Sequence, residues 1–199
     1  SSFDELRLGG SAFAQSQGYV GSDVPTVKNP DYFRDAFNAI QSLVNKGLIM
    51  AGHDISAGGL ITTLLEMTFA NTDGGIDVNL DKFKTDDLVR VLFAENPGVV
   101  VQVADKHKKE FKEILDEAGV GYVKLGTPAD ERQIMVTLGD ATYQFGIDYL
   151  RDVWYETSYL LDTKQSMHGC AKKRYENYKQ QPLEYHIHPE FTGKLKQFG

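Results

Sequence analysis

A histidine, an aspartate, a serine and two glycines fall within eight residues in His53-Asp54-Ile55-Ser56-Ala57-Gly58-Gly59-Leu60. These residue types suit an anion held through a divalent cation. Asp54 is a hard carboxylate of the kind Mg²⁺ uses between protein and phosphate oxygens. Ser56 can donate or accept a hydrogen bond. Gly58 and Gly59 let the backbone approach a ligand closely. A helix starting there would present free N–H groups and the positive end of its dipole. The stretch reads as a phosphate–metal corner. The same residues also spell a plain cap and turn, with Asp54 only stabilising the helix start. The pattern is not a Walker A loop, which ends in Gly-Lys-Ser/Thr.

Other residues invite chemistry less strongly. His53 has the side chain of an acid–base group or phosphate orienter, or of a histidine packed at a strand end. Glu95 and Asn96 suit either a site wall or a loop and helix end. Cys170 is the single cysteine. It lacks a strand–turn–helix setting and an evident His/Glu set, so it reads as a structural thiol rather than a nucleophile. Glu184, His186, His188 and Glu190 are metal-ligand types, but a polar tail like theirs reads as solvated. Residues 106–117 form a charge-rich helix face.

The corner needs elements to position it. Asn29-Pro30-Asp31 is a helix start, with a cap, a pre-set φ and an acidic first turn. Phe33, Ala36, Phe37, Ile40, Leu43 and Val44 follow at helical spacing, and Gly47 is the stop. Residues 48–52 form a short apolar run that predicts a buried strand delivering the corner at its C-terminal end, where open α/β sheets gather ligands. A helix over about 59–70 follows, then a strand over 76–80 and a short helix carrying residues 88–93. Residues 99–103 predict the clearest buried strand. A helix opens at Asp105 and ends at Gly119. Strands are predicted over 122–125, 133–138 and 142–147, the last two joined by Gly139-Asp140. A long helix covers 150–164, and a polar helix covers about 171–180. The alternation predicts an α/β fold, a mixed β-sheet with packed helices. We divide the chain into a leading segment 1–24, a compact domain 25–165, and a polar helix and linker 166–199.

The chain has 199 residues, 41% hydrophobic and 25% charged, with a net charge of −7. That balance is ordinary for a globular protein. The acidic charge disfavours nonspecific nucleic-acid binding, which needs a basic surface. It permits nucleotide binding through Mg²⁺ and backbone N–H groups. No run reaches the length of a membrane span. A lone cysteine fits a reducing, cytoplasmic setting. The first residue is Ser1, and we read the chain as a piece of a longer one.

Residues 52–60 resemble the HD-x-S-x-GGL signature of the aminoimidazole ribonucleotide synthetase superfamily, with Ala57 where Asp is usual. Leu8-Gly9-Gly10-Ser11-Ala12-Phe13-Ala14-Gln15 is similar to that family's LGGSALAQ stretch, and Leu92-Phe93-Ala94-Glu95-Asn96-Pro97-Gly98 to its LF-x-E-x-x-G segment. Leu150-Arg151-Asp152-Val153-Trp154-Tyr155-Glu156-Thr157-Ser158 resembles the R-x-x-W-x-E-T-S helix of the large, single-chain formylglycinamide ribonucleotide amidotransferases. This resemblance implies the fold of the synthetase C-terminal domain. It implies a share in an ATP-dependent ligase of purine biosynthesis that uses glutamine as amide donor. ATP or ADP and Mg²⁺ are the implied ligands. Asp54 is then the metal ligand and Ser56 a nucleotide contact, with Gly58 and Gly59 beside them, at an auxiliary rather than catalytic nucleotide site. No residue of this chain is expected to be catalytic. The implied partners are N-terminal synthetase domains and a C-terminal glutaminase domain of the same polypeptide, and the chain alone is expected to be inactive. The alternative is a docking domain that touches no ligand. A third reading, a hydrogenase-maturation or thiamine-phosphate-kinase relative, is disfavoured by the Trp154 helix.

Overall fold

A computed structural model describes residues 5–180 and 190–194. Its contacts group into two units, Ser1–Glu156 and Thr157–Gly199. The larger unit opens with α1 (Ala12–Ser16), capped by the Ser11 side chain, and α2 (Pro30–Asn45), capped by Asn29. Gly47 ends α2 at φ +65°, and Leu48 N–H donates back to the Leu43 carbonyl. That is the left-handed stop expected at this position.

Among the described residues, six strands form two sheets. β1 (Ile49–Ile55) pairs only with β3 (Gly98–Val103), antiparallel. β2 (Gly75–Asn79), β4 (Gly126–Ala129), β5 (Gln133–Leu138) and β6 (Ala141–Gly146) form a mixed sheet in the order β4-β2-β5-β6. Only β2 and β5 run parallel. α3 (Gly59–Phe69), α4 (Leu88–Phe93), α5 (Lys108–Glu117) and α6 (Ile147–Gln165) complete the α/β arrangement.

The main core joins Leu60, Ile61 and Leu64 of α3, Val91 and Leu92 of α4, Val78, Ile134 and Val136 of the mixed sheet, and Ile147. A second core packs Ala39 and Leu43 of α2 against Leu115 of α5, with Leu48. The opposite face of the mixed sheet carries Asp77, Asn79, Met135, Thr137 and Thr142, which help line a shallow groove of about 490 Å³. None of the corner residues lines this groove.

Three expectations are corrected. The strands expected over residues 48–52 and 99–103 are not buried ones. They make a two-stranded ribbon with Met50 65% and Val99 47% exposed. A ribbon of two strands can bury only one face. The predicted strand over 122–125 is displaced to β4. Val123 and Leu125 pack on the core from an irregular segment instead. Pro128 sits within β4, a sheet edge, where a missing N–H is tolerated. Finally, β1 continues through His53 and Asp54, which pair with Val100 and Val99. Their polarity is compatible with pairing because Asp54 faces the wet side of the ribbon, while His53, on the inner side, meets Glu66.

Asp81 braces the β5–β6 turn. Its carboxylate accepts from the Gly139 N–H at 2.8 Å and from the Asn79 amide at 3.0 Å. The Gly139 bond first, then that of Asn79, holds its carboxyl below the usual carboxylate value of 3.8. A depressed folded value adds stability that is present above 3.8 and lost as pH falls through the folded value. The chain should therefore exceed Asp81→Asn in stability at neutral pH, and the gap should close on acidification. Urea titrations of both proteins across that range check it.

In the smaller unit, Arg174 donates to Asp162 at 2.9 Å, and the Tyr159 and Tyr175 rings stack at 4.6 Å. α7 (Cys170–Glu176) begins with the half-buried, free Cys170. Glu184, His186 and His188 lie outside the described residues. Among the described residues no helix is long and apolar enough to cross a membrane.

Candidate functional site

The corner forms where β1 ends and α3 begins. Asp54 is the penultimate residue of β1, Ser56 follows the strand, and Gly58 caps α3 in the left-handed region at φ +87°. The Asp54 side chain is 74% exposed, and its nearest cation-capable neighbour is His53 Nδ1 at 3.5 Å. Ser56 is exposed too. The structure thus sets a carboxylate and a hydroxyl at one solvent-facing turn.

Both glycine N–H groups of the turn are already used. Gly58 N–H donates to Glu95 Oε1 at 2.8 Å, and Gly59 N–H to the Ser56 carbonyl at 3.0 Å. The glycines shape this turn. Gly59 has φ +70°, and a Cβ there would lie 2.6 Å from the Leu92 carbonyl oxygen. Close approach is required, but to the backbone at the end of α4. The strand-end crevice rule also has no purchase here, because β1 belongs to an antiparallel pair. The case for a ligand rests on Asp54 and Ser56.

Glu95, weighed in the sequence as site wall or loop residue, joins the first three motifs. The same Oε1 that accepts from Gly58 accepts from Ala12 N–H, also at 2.8 Å. Asn96 secures the leading segment alongside, accepting from Arg7 N–H and donating to the Glu5 carbonyl. Phe13 and Phe93 stack with centroids 4.8 Å apart. The sequence reading passed over Glu66. It accepts from Trp154 Nε1–H at 2.8 Å, and its other oxygen lies 2.9 Å from His53 Nε2. These bonds tie the fourth motif to the corner. A signal was present, since Glu66 is the sole charged residue in the α3 sequence GLITTLLEMTF.

One carboxylate and one hydroxyl fit a hard divalent cation in donor chemistry but fall short of its usual six oxygens. Nearby Glu66 and Glu95 are committed to N–H donors. Among the described residues no group of three His, Cys, Asp or Glu side chains could hold a metal. Any cation here would need water, ligand phosphates or residues from elsewhere to complete its shell.

A two-stranded ribbon feeding a glycine-capped helix, together with a β4-β2-β5-β6 sheet, defines an α/β domain with an exposed carboxylate and hydroxyl at one turn. The chain belongs to the family of the AIR synthase related protein, C-terminal domain, whose model matches residues 2–138. It is 35% identical over 175 residues to a probable phosphoribosylformylglycinamidine synthase, chloroplastic/mitochondrial, of Arabidopsis thaliana, covering 87% of this chain and 12% of that protein. It is 34% identical over 170 residues to phosphoribosylformylglycinamidine synthase of Homo sapiens, covering 83% and 12%. Among solved structures it resembles phosphoribosylformylglycinamidine synthase II from Thermotoga maritima, with a TM-score of 0.55 at 19% identity over 63% of this chain and 22% of that one. T. maritima PurL complexed with ATP gives a TM-score of 0.55 at 18% identity, with the same coverage. The chain therefore spans about an eighth of these curated relatives.

Proposed function

We propose that this chain supplies part of a nucleotide–Mg²⁺ site within a phosphoribosylformylglycinamidine synthase. That enzyme would convert formylglycinamide ribonucleotide, ATP and glutamine to formylglycinamidine ribonucleotide in purine biosynthesis, in the cytoplasm. The observation that carries this reading is the pairing of an exposed Asp54 carboxylate with an exposed Ser56 hydroxyl at a turn whose two glycine N–H groups are already bonded within the chain. Nothing in the turn's own packing requires those two side chains.

In this reading Asp54 binds the cation and Ser56 contacts the nucleotide, while Gly58 and Gly59 hold the backbone that presents them. Bound Mg²⁺ would offset the charge of phosphate oxygens beside an acidic protein. The remaining ligands come from N-terminal synthetase domains of the same polypeptide. A glutaminase domain beyond the polar tail of residues 166–199 supplies ammonia. The site is auxiliary, and the chain alone turns nothing over.

Asp54→Ala in the full-length enzyme is expected to lower retention of ADP and Mg²⁺ about tenfold, as loss of the carboxylate this chain contributes would. Nucleotide content of the purified protein, measured by absorbance after denaturation, tests this. Undiminished content would remove the proposal's basis.

A further inference from the structure

We propose that Trp154 and Glu66 are positioning residues for the Asp54 corner, acting through His53. The inference rests on the reading of that corner as a cation–nucleotide site. It adds a line of support that begins on α6.

The geometry is a chain of hydrogen bonds. Trp154 Nε1–H donates to Glu66 Oε1 at 2.8 Å. The other oxygen, Oε2, lies 2.9 Å from His53 Nε2. At the far side of the ring, His53 Nδ1 lies 2.7 Å from the backbone carbonyl of Asp54. Each ring nitrogen therefore faces an oxygen acceptor, and the nitrogen that carries the proton donates to its partner and orients the ring. The buried Thr63 hydroxyl, 3.1 Å away, donates to the same Asp54 carbonyl. The peptide that carries the exposed carboxylate is thus gripped by α3 directly and by α6 through two side chains.

Such a grip matters at this position. β1 has one partner strand, and Asp54 stands next to its end. A strand end in a two-stranded ribbon has little intrinsic rigidity. A carboxylate must be held to a fraction of an ångström to favour one bound geometry. Groups that orient a metal-binding residue from behind commonly change affinity when they are removed. The components are also unusual in their setting. Glu66 is the one charge in an otherwise uncharged helix, and its side chain is only 24% exposed. The donor that meets it belongs to the single tryptophan of the chain. Phe69 packs beside the indole with ring centroids 5.2 Å apart, so the indole is placed by packing as well as by its hydrogen bond.

The test uses the full-length enzyme with Mn²⁺ in place of Mg²⁺ and ADP as the nucleotide. Bound Mn²⁺ is followed by electron paramagnetic resonance and folding by thermal melting. Asp54→Ala defines the share of Mn²⁺ binding that belongs to this corner. Trp154→Phe keeps the aromatic packing but removes the N–H. It is expected to weaken that share about fivefold, at or below the usual effect of a group behind a metal ligand, with little change in melting. Glu66→Ala should weaken it at least as much. Glu66→Gln, which keeps one oxygen acceptor, should fall between wild type and Glu66→Ala. If Asp54→Ala leaves Mn²⁺ binding unchanged, the corner reading fails and the relay with it. If Asp54→Ala removes binding while Trp154→Phe and both Glu66 variants match wild type, the relay alone is overturned. Lower melting temperatures with unaltered Mn²⁺ affinity also overturn it, because they mark a purely structural network.

Discussion

Gly59→Ala is expected to destabilise the chain by about 4 kcal/mol, the sum of left-handed strain and a backbone clash. The residue has φ +70°, where a Cβ alone costs about 1 kcal/mol. The added methyl would also sit 2.6 Å from the Leu92 oxygen and 2.7 Å from the Phe93 carbonyl carbon. Both atoms are backbone, so no side-chain rotation relieves the contact. Relief requires α3 to move away from the end of α4, opening the main core at Leu60 and Leu92. Overpacking of this kind costs about 1–3 kcal/mol. Gly47→Ala provides the control. Its φ is +65°, and a Cβ there meets nothing within 4 Å. It should lose only the strain, about 1 kcal/mol. Urea unfolding followed by fluorescence of the single tryptophan, Trp154, reads both variants. Equal losses would show that α3 and α4 accommodate the methyl and that the close approach is unimportant.

Local signals made most elements legible. α2 announced itself through Asn29, Pro30 and Gly47, each acting on the backbone directly. β5 and β6 followed from alternation around Gly139. β4 was hidden because Gly126 and Pro128 read as loop residues, while the sheet uses them on its edge. Burial of the 99–103 segment was misread for a different reason. An apolar run reports that a segment is sticky, but not how many strands or helices come to cover it. The corner shows the same division. Asp54 and Ser56 were found from residue type, and their exposure agrees with a site. Gly58 and Gly59 were read as making room for a ligand. Gly59 instead makes room for the backbone at the end of α4, and the N–H of Gly58 serves Glu95. Glu66 and Glu95 reach their partners across 13 to 88 residues of sequence. No local pattern records such separations. The four motifs were separate clues on the chain; in three dimensions a pair of glutamates connects them.

That connection makes Glu95 the second position where a large effect is expected. Glu95→Ala should cost about 3 kcal/mol, because a charge-assisted hydrogen bond is worth about 1.5–3 kcal/mol and two are lost, with a discount for exposure. The donors are Gly58 N–H, which is partly buried, and Ala12 N–H, which is exposed. Gly58 should account for most of the loss, since water can replace the acceptor at Ala12. The consequence for the corner is mechanical. Without the carboxylate, the left-handed turn at Gly58 loses its tie to the segment after α4, and Ser56 loses a fixed backbone. Glu95→Gln keeps an oxygen at Oε1 and should lose about 1 kcal/mol, the difference between a charged and a neutral acceptor. Hydrogen exchange resolves the two contributions. The amides of Gly58 and Ala12 should lose protection together in Glu95→Ala and retain most of it in Glu95→Gln, while the α2–α5 core around Leu43 and Leu115 stays protected in both. Loss of protection spread evenly over both cores would mean that Glu95 supports the fold globally. Loss confined to residues 8–15 and 56–60 would mark it as the clasp that holds the Asp54–Ser56 turn in place.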